Sequence, residues 1–199
     1  VGITTGVSTT DAAISLTEAG AGGLVLNQLV NSGAGTTALT ATAGAIVYGN
    51  GATNNITALN LALRAATGIG SADALETTVT NLAFSNTASG AVQISNTGPL
   101  VIASVDGLLT SSNSGTTTSL TASSPVTFGV DTTSVGTLTA TATDTVAAGD
   151  DITVNTGVTV RSTTGDVVFR AGDAVVLLGG TSVVRSDAGA VNFTSGFSD

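Results

Sequence analysis

The chain has no cysteine, no histidine, no lysine, no methionine and no tryptophan. Without Cys or His it can hold no thiol nucleophile, no Ser-His-Asp triad and no ordinary zinc site. Zero cysteine gives no sign of an oxidising compartment and is compatible with export. Positive charge is scarce: four arginines face thirteen acidic residues, for a net charge of −9. Nothing here can neutralise a run of phosphates, which argues against nucleic acid as a partner and equally against an anionic membrane surface. The longest apolar runs, "GGLVLNQLV" (22–30) and "AVVLLGG" (174–180), are too short to cross a bilayer, so no membrane insertion is expected. No basic-then-apolar signal segment opens the chain. It begins at Val1, already in a strand-like pattern, and reads as a fragment or processed segment of something longer.

Hydrophobic residues make up 42% of the 199, mostly Val, Ile, Leu and Ala, and only 3% are aromatic. Glycine appears 26 times and Thr accounts for nearly a fifth of the chain. β-branched residues and glycines at this density favour short strands between tight turns. Solubility must come from Thr, Ser and Asn rather than from charge.

The informative feature is a repeat. "VTVRSTTGDVVFRAG" (158–172) returns as "SVVRSDAGAVNFTSG" (182–196), so that Val160 falls on Val184, Arg161 on Arg185, Val167 on Val191 and Phe169 on Phe193. Each copy holds three short apolar runs, too closely spaced for a sandwich. Three strands in a unit of about 24 residues describe one coil of a β-solenoid. The expected fold is therefore all-β, a parallel β-helix whose coils stack at about 4.8 Å. About eight such coils would make a rod about 40 Å long. Alternation along a strand turns Val167 and Phe169 inward and leaves Val168 and Arg170 to water. Gly165 and Gly189 fall at matching corners, where a positive φ would select glycine.

A weaker echo links "NSGAGTTALTATAGAIVYG" (31–49) to "NSGTTTSLTASSPVTFG" (113–129), and residues 12–26 to 91–102. The chain thus reads as one elongated solenoid, 1–199, divisible into two longer repeats at about 6–84 and 85–199. Residues 59–86 depart from the pattern. "ALNLALRAA" holds good helix formers and Ser71 could cap a second helix, but Thr77, Thr78, Val79 and Thr80 argue for strand. Strand or an irregular coil is expected there, with a short helix as the alternative.

The stretch 61–107, with "AAGDDITVNTGVTVRSTTGDVVFRAGDAVVLLGG" (147–180), resembles the repeats of large, secreted, filamentous-haemagglutinin-like bacterial proteins. The resemblance implies a right-handed parallel β-helix, an extracellular or bacterial cell-surface location, and a role in adhesion, surface display or filament formation. It carries no catalytic residues over to this chain.

Asp144, Asp150, Asp151, Asp166 and Asp173 are the candidate metal ligands. Calcium takes about six to eight oxygens, which stacked turns can supply from carboxylates and carbonyls. The competing reading is that Asp favours turns and keeps the surface wet. Asp166 or Asp187 is expected between Arg161 and Arg185, and Arg64 beside Glu76 or Asp73. Glycoside cleavage needs two carboxylates facing across a groove. No pair stands out, and a single tyrosine, Tyr48, leaves little surface for stacking sugars. The chain is therefore expected to be a non-catalytic segment of a surface fibre or adhesin, with no cofactor unless calcium binds. Its ends, which carry no charged or helical cap, would associate end to end or continue into further coils. A module that binds glycans or a host surface is the alternative; a polysaccharide lyase or hydrolase is the weakest of the three.

Overall fold

A computed structural model describes residues 6–196. Strand formation follows the Thr/Val/Ile/Leu runs, and there is no helix among the described residues. Coil 1 holds β1 (Val7–Ser8), β2 (Ile14–Glu18) and β3 (Leu24–Leu26); coil 2 holds β4 (Val30–Ala41) and β5 (Ile46–Tyr48). β6 (Ile56–Ala65) forms coil 3, and coil 4 is β7 (Leu75–Asn86) and β8 (Val92–Asn96). Coil 5 is β9 (Leu100–Ile102), β10 (Ser111–Asn113) and β11 (Thr118–Ala122). Coil 6 is β12 (Val126–Phe128), β13 (Thr132–Ser134) and β14 (Leu138–Ala142). Coil 7 is β15 (Ile152–Val154), β16 (Thr159–Ser162) and β17 (Val167–Ala171). Coil 8 is β18 (Val175–Leu177), β19 (Val183–Ser186) and β20 (Val191–Thr194). The result is a parallel β-solenoid of about eight turns.

Register matches the sequence repeat residue for residue. Val160 pairs with Val184, Arg161 with Arg185 and Ser162 with Ser186, while Val167 meets Val191 and Phe169 meets Phe193. Coil length is less regular than the last repeat implies: Leu138 pairs with Thr118 one coil below but with Val167 one coil above. The region expected to depart from the pattern is strand throughout its core, as β6 and β7, and Ser71 lies in the connection between them. Its β-branched residues pair in register with the neighbouring coil, Ile56 on Thr77 and Thr57 on Thr78, and this outweighs helix propensity.

Inward positions alternate with half-exposed ones in almost every strand, as in β11, β14 and β8. The inward set forms one core along the whole stack. Large and small residues trade places between levels within it. Phe169 stands above Ala140. The space that Ala140 leaves is taken by Phe128 of the same coil, whose ring lies 5.4 Å from that of Phe169. Phe193 continues the stack at 5.3 Å. Offset stacking at this separation is favourable beyond simple burial.

A buried polar column runs up one corner. Asn86, Asn113, Ser134 and Ser162, all buried, lie directly above one another, with the half-buried Ser186 at the top. Asn86 Nδ2 donates to Asn113 Oδ1 at 2.8 Å, and Asn113 Nδ2 to the Thr117 carbonyl at 2.8 Å. Because such groups are costly to bury unpaired, the column penalises any slip in register.

Gly165 and Gly189 are selected by space rather than by φ, which corrects the expectation from the repeat. Neither has a positive φ. A Cβ on Gly165 would sit 2.4 Å from the Thr137 nitrogen, and one on Gly189 2.7 Å from the Gly165 carbonyl carbon.

Candidate functional site

The five candidate calcium ligands do not gather into one site. Asp150 is 3% exposed, and its Oδ2 accepts from the Thr145 nitrogen at 2.7 Å and the Thr145 hydroxyl at 2.6 Å. Asp173 Oδ2 accepts from the nitrogens of Gly149 and Asp150, one coil below, at 2.5 and 3.0 Å. Asp151 Oδ1 accepts from Ala174 at 3.0 Å, one coil above. Asp166, on a different corner, accepts from Ala190 at 2.8 Å. Asp144 is exposed on the loop that precedes Asp150. Among the described residues, no three carboxylates converge on a point where a metal ion could be held.

These contacts show what turn carboxylates do in this chain. Asp11 takes the Ala34 amide at 2.7 Å and Asp131 the Thr159 amide at 2.8 Å, each again one coil away. The aspartates staple corners of adjacent coils by accepting backbone N–H groups that the ladder leaves over.

The arginines fall in two places. Arg161 is bound by Asp187, and Arg185 reaches the same carboxylate at 3.6 Å, so Asp187 separates two stacked cations. The Arg161 hydrogen bond holds the Asp187 carboxyl below its ordinary pKa. Arg64 was expected beside Glu76 or Asp73. It pairs instead with Asp106 at 2.7 Å and also donates to the Asp106 carbonyl. The reason is an excursion the repeat does not announce. Residues 103–110 leave the coil between β9 and β10 and fold back as a two-residue hairpin. Val105 and Leu108 bond each other there, and Asp106 (φ 49) and Gly107 (φ 79) form the turn. Val105 and Leu108 pack on the outward-facing Ala38, Ala62 and Ala83, which brings Asp106 over Arg64.

Two further excursions enclose a cleft. β5 lies on the face that continues through Ile69 to Val92. After β5, residues 49–54 form a loop, exposed at Gly49 and at 51–53, before the buried Asn55 leads into β6. In the next coil, residues 70–74 bulge from the same face between Ile69 and Leu75, where the coil above advances only from Val92 to Ile94. Between these loops is a cleft of about 280 Å³ lined by Val47, Tyr48, Gly49, Gly51, Gly70, Ala72 and Asp73. Tyr48, the only tyrosine, packs its ring against the core and donates its hydroxyl to Glu76 Oε1 at 3.3 Å. Burial, reinforced by hydrogen bonding to Asp73, pushes the phenol's pKa well above its ordinary 10.0, so it stays an O–H. Glu76 Oε2 is buried without a hydrogen-bond partner. Sequence reasoning passed over this cleft, although one signal was present: the sole tyrosine lies just before a glycine-rich insertion.

A larger cavity of about 410 Å³ opens beside coil 1, lined by Val7, Leu16, Leu24, Leu26 and Val30. Those side chains belong to or pack on the core, so it is coil packing rather than a separate site. No helix among the described residues is long and apolar enough to cross a membrane. No family model, curated protein or solved structure matches the chain.

Proposed function

We propose that the chain is a non-catalytic structural segment of an extracellular bacterial surface fibre or adhesin, building a rod by coil stacking and end-to-end association. The observation that carries this reading is the unbroken parallel pairing of each coil with the next, from β1 to β20. A solenoid of this kind meets only its neighbours, so its outermost strands keep one unpaired edge. In coil 8 those strands also expose apolar side chains: Val183 at 39%, Val191 at 41% and Phe193 at 46%. Another coil, from a longer chain or from a second copy, buries them by adding parallel strands in register. The resemblance to filamentous-haemagglutinin-like repeats supports the surface location, and so does a surface wetted by hydroxyls rather than by charge.

The test is electron microscopy of the purified chain with and without a calcium chelator. Filaments of constant width, with an axial repeat of about 4.8 Å in diffraction, are the expected result. Dispersed, stable globules in both conditions would overturn the filament reading. Filaments that dissolve in chelator would show that end contacts need a cation.

A further inference from the structure

We infer that Asn50 is a site of spontaneous modification, at which the Gly51 nitrogen attacks the Asn50 side-chain amide and the buried Asn55 stabilises the oxyanion that forms. This goes beyond the rod reading and does not depend on it.

The nucleophile is set by sequence. Asn50 is the only asparagine followed by glycine. With no Cβ on that next residue, its nitrogen can close on the asparagine side chain without a steric barrier. Gly51 is exposed, a Cβ built on it would meet nothing within 4 Å, and its N–H donates to no group among the described residues. The base that takes its proton can therefore come from solvent.

The electrophile is set by structure. Asn55 Nδ2 donates to Asn50 Oδ1 at 2.6 Å. Asn55 is fully buried and fixed by three bonds of its own. Its Oδ1 accepts from the Glu76 nitrogen at 2.8 Å, its nitrogen donates to the Glu76 carbonyl at 2.9 Å, and its carbonyl accepts from the Val30 nitrogen at 2.8 Å. A fixed donor on the carbonyl oxygen draws electron density from Cγ and binds more strongly as that oxygen becomes negative. Donors placed this way contribute about 10²–10³ in rate. The leaving nitrogen is only lightly held, since Asn50 Nδ2 lies 3.4 Å from the Thr53 carbonyl. By contrast, Asn86, Asn96 and Asn113 are buried and are followed by Thr, Thr and Ser, whose β-carbons crowd the attacking nitrogen.

Solvent base takes the Gly51 N–H proton and the bond from that nitrogen to Asn50 Cγ forms. The Cγ–Nδ2 bond then breaks, and Nδ2 leaves as ammonia with a proton from water. Water opens the resulting succinimide at either carbonyl, giving aspartate or its β-linked isomer. The chain has no lysine and no cysteine, so no side-chain amine or thiol competes with water for the ring. Each conversion makes the net charge of −9 more negative by one. The β-linked product adds a backbone methylene to a loop whose ends are held by β5 and Asn55, so the pairing of the coil survives it.

The experiment is peptide mass mapping of the full chain during incubation at mildly alkaline pH, with ion-exchange chromatography following the added charge. Conversion at Asn50 ahead of every other asparagine is expected, with aspartate and its β-linked isomer both present. Asn55→Ser, its fold checked by circular dichroism, should slow conversion by about tenfold or more. The unsubstituted chain in urea should also convert more slowly than the folded chain, because Asn55 is then no longer fixed. That comparison decides the matter should the variant fail to fold. An Asn50 that stays an amide, or conversion spread evenly over several asparagines, would overturn the assignment. So would an unchanged rate in folded Asn55→Ser, or a folded chain no faster than the unfolded one.

Discussion

Phe169→Ala is the substitution that tests the stacked core most sharply. The ring is fully buried, stands above Ala140, and lies 5.4 Å from Phe128 and 5.3 Å from Phe193. Truncating a buried Phe to Ala costs about 3–5 kcal/mol, and each aromatic pair contributes about 0.5–1.5 kcal/mol beyond burial. With two pairs lost, the upper part of that range is expected. Phe193→Ala should cost about 1 kcal/mol, because a ring 46% exposed retains roughly half of the transfer energy of a buried one. Urea unfolding followed by circular dichroism reads both, provided the denaturant slope is unchanged. The decisive measurement is a double-mutant cycle between Phe128 and Phe169. They belong to different faces of successive coils, so they touch only if the chain winds with Ala140 beneath Phe169. A coupling of about 0.5–1.5 kcal/mol is expected. Additivity to within about 0.3–0.5 kcal/mol would refute the contact, and with it the account of how large and small residues trade levels.

Three further outcomes follow from named contacts. Gly165→Ala should destabilise by about 1–3 kcal/mol through overpacking, because its Cβ would lie 2.4 Å from the Thr137 nitrogen; a neutral effect in thermal denaturation would show that the corner can yield. Arg64→Ala should change global stability by no more than about 1 kcal/mol, since the ion pair is partly exposed, yet speed amide exchange at Val105 and Leu108. Unchanged exchange there would mean that apolar packing alone holds the hairpin. Tyr48 should remain un-ionised in the folded chain at pH 10 and be half ionised in urea, because burial raises its folded pKa above 10.0. Its contribution to stability is therefore complete below pH 10 and lost as pH rises beyond it. Phenolate absorbance at pH 10 without denaturant would contradict that burial.

The coil was legible in the sequence because stacking puts the same demand on the same position one turn later. Phe169 and Phe193 recur since both must fill the axis; Arg161 and Arg185 recur since that position is wet. What escaped was whatever stacking leaves unconstrained. Arg64 was assigned partners near it in sequence, but its partner, Asp106, arrives on a hairpin from two coils above. Density alone marks the aspartates as possible ligands, whereas Asp151, Asp166 and Asp173 turn oxygens to amides in neighbouring coils, and that depends on corner geometry no spacing rule reveals. The Tyr48 cleft was missed for the same reason. It is made by two loops whose only shared feature is that their parent strands lie on one face.

The irregular coil lengths point to where this fold keeps its freedom. A coil closes if its strands pair above and below; the corners need only span the gap. Excursions at 49–54, 70–74, 103–110 and 143–151 therefore lengthen their coils while the residues around them stay buried: Ile46, Ile69, Ile102 and Ala142 are all fully inaccessible. Loop length is cheap in entropy when its ends are already held. Each excursion is tied down by a contact of its own: Asn55 to Asn50 at 2.6 Å, Gly70 to the Ile46 carbonyl at 2.8 Å, Arg64 to Asp106, and Thr145 to Asp150. Held loops on a regular scaffold are how repeat proteins present recognition surfaces. If so, exchanging residues 50–54 for the three-residue corner found at 123–125 should leave the melting temperature nearly unchanged, because the buried Asn55, which pairs with Val30 and Glu76 of the neighbouring coils, is kept. A large loss of stability would show that the excursion is part of the scaffold rather than something carried on it.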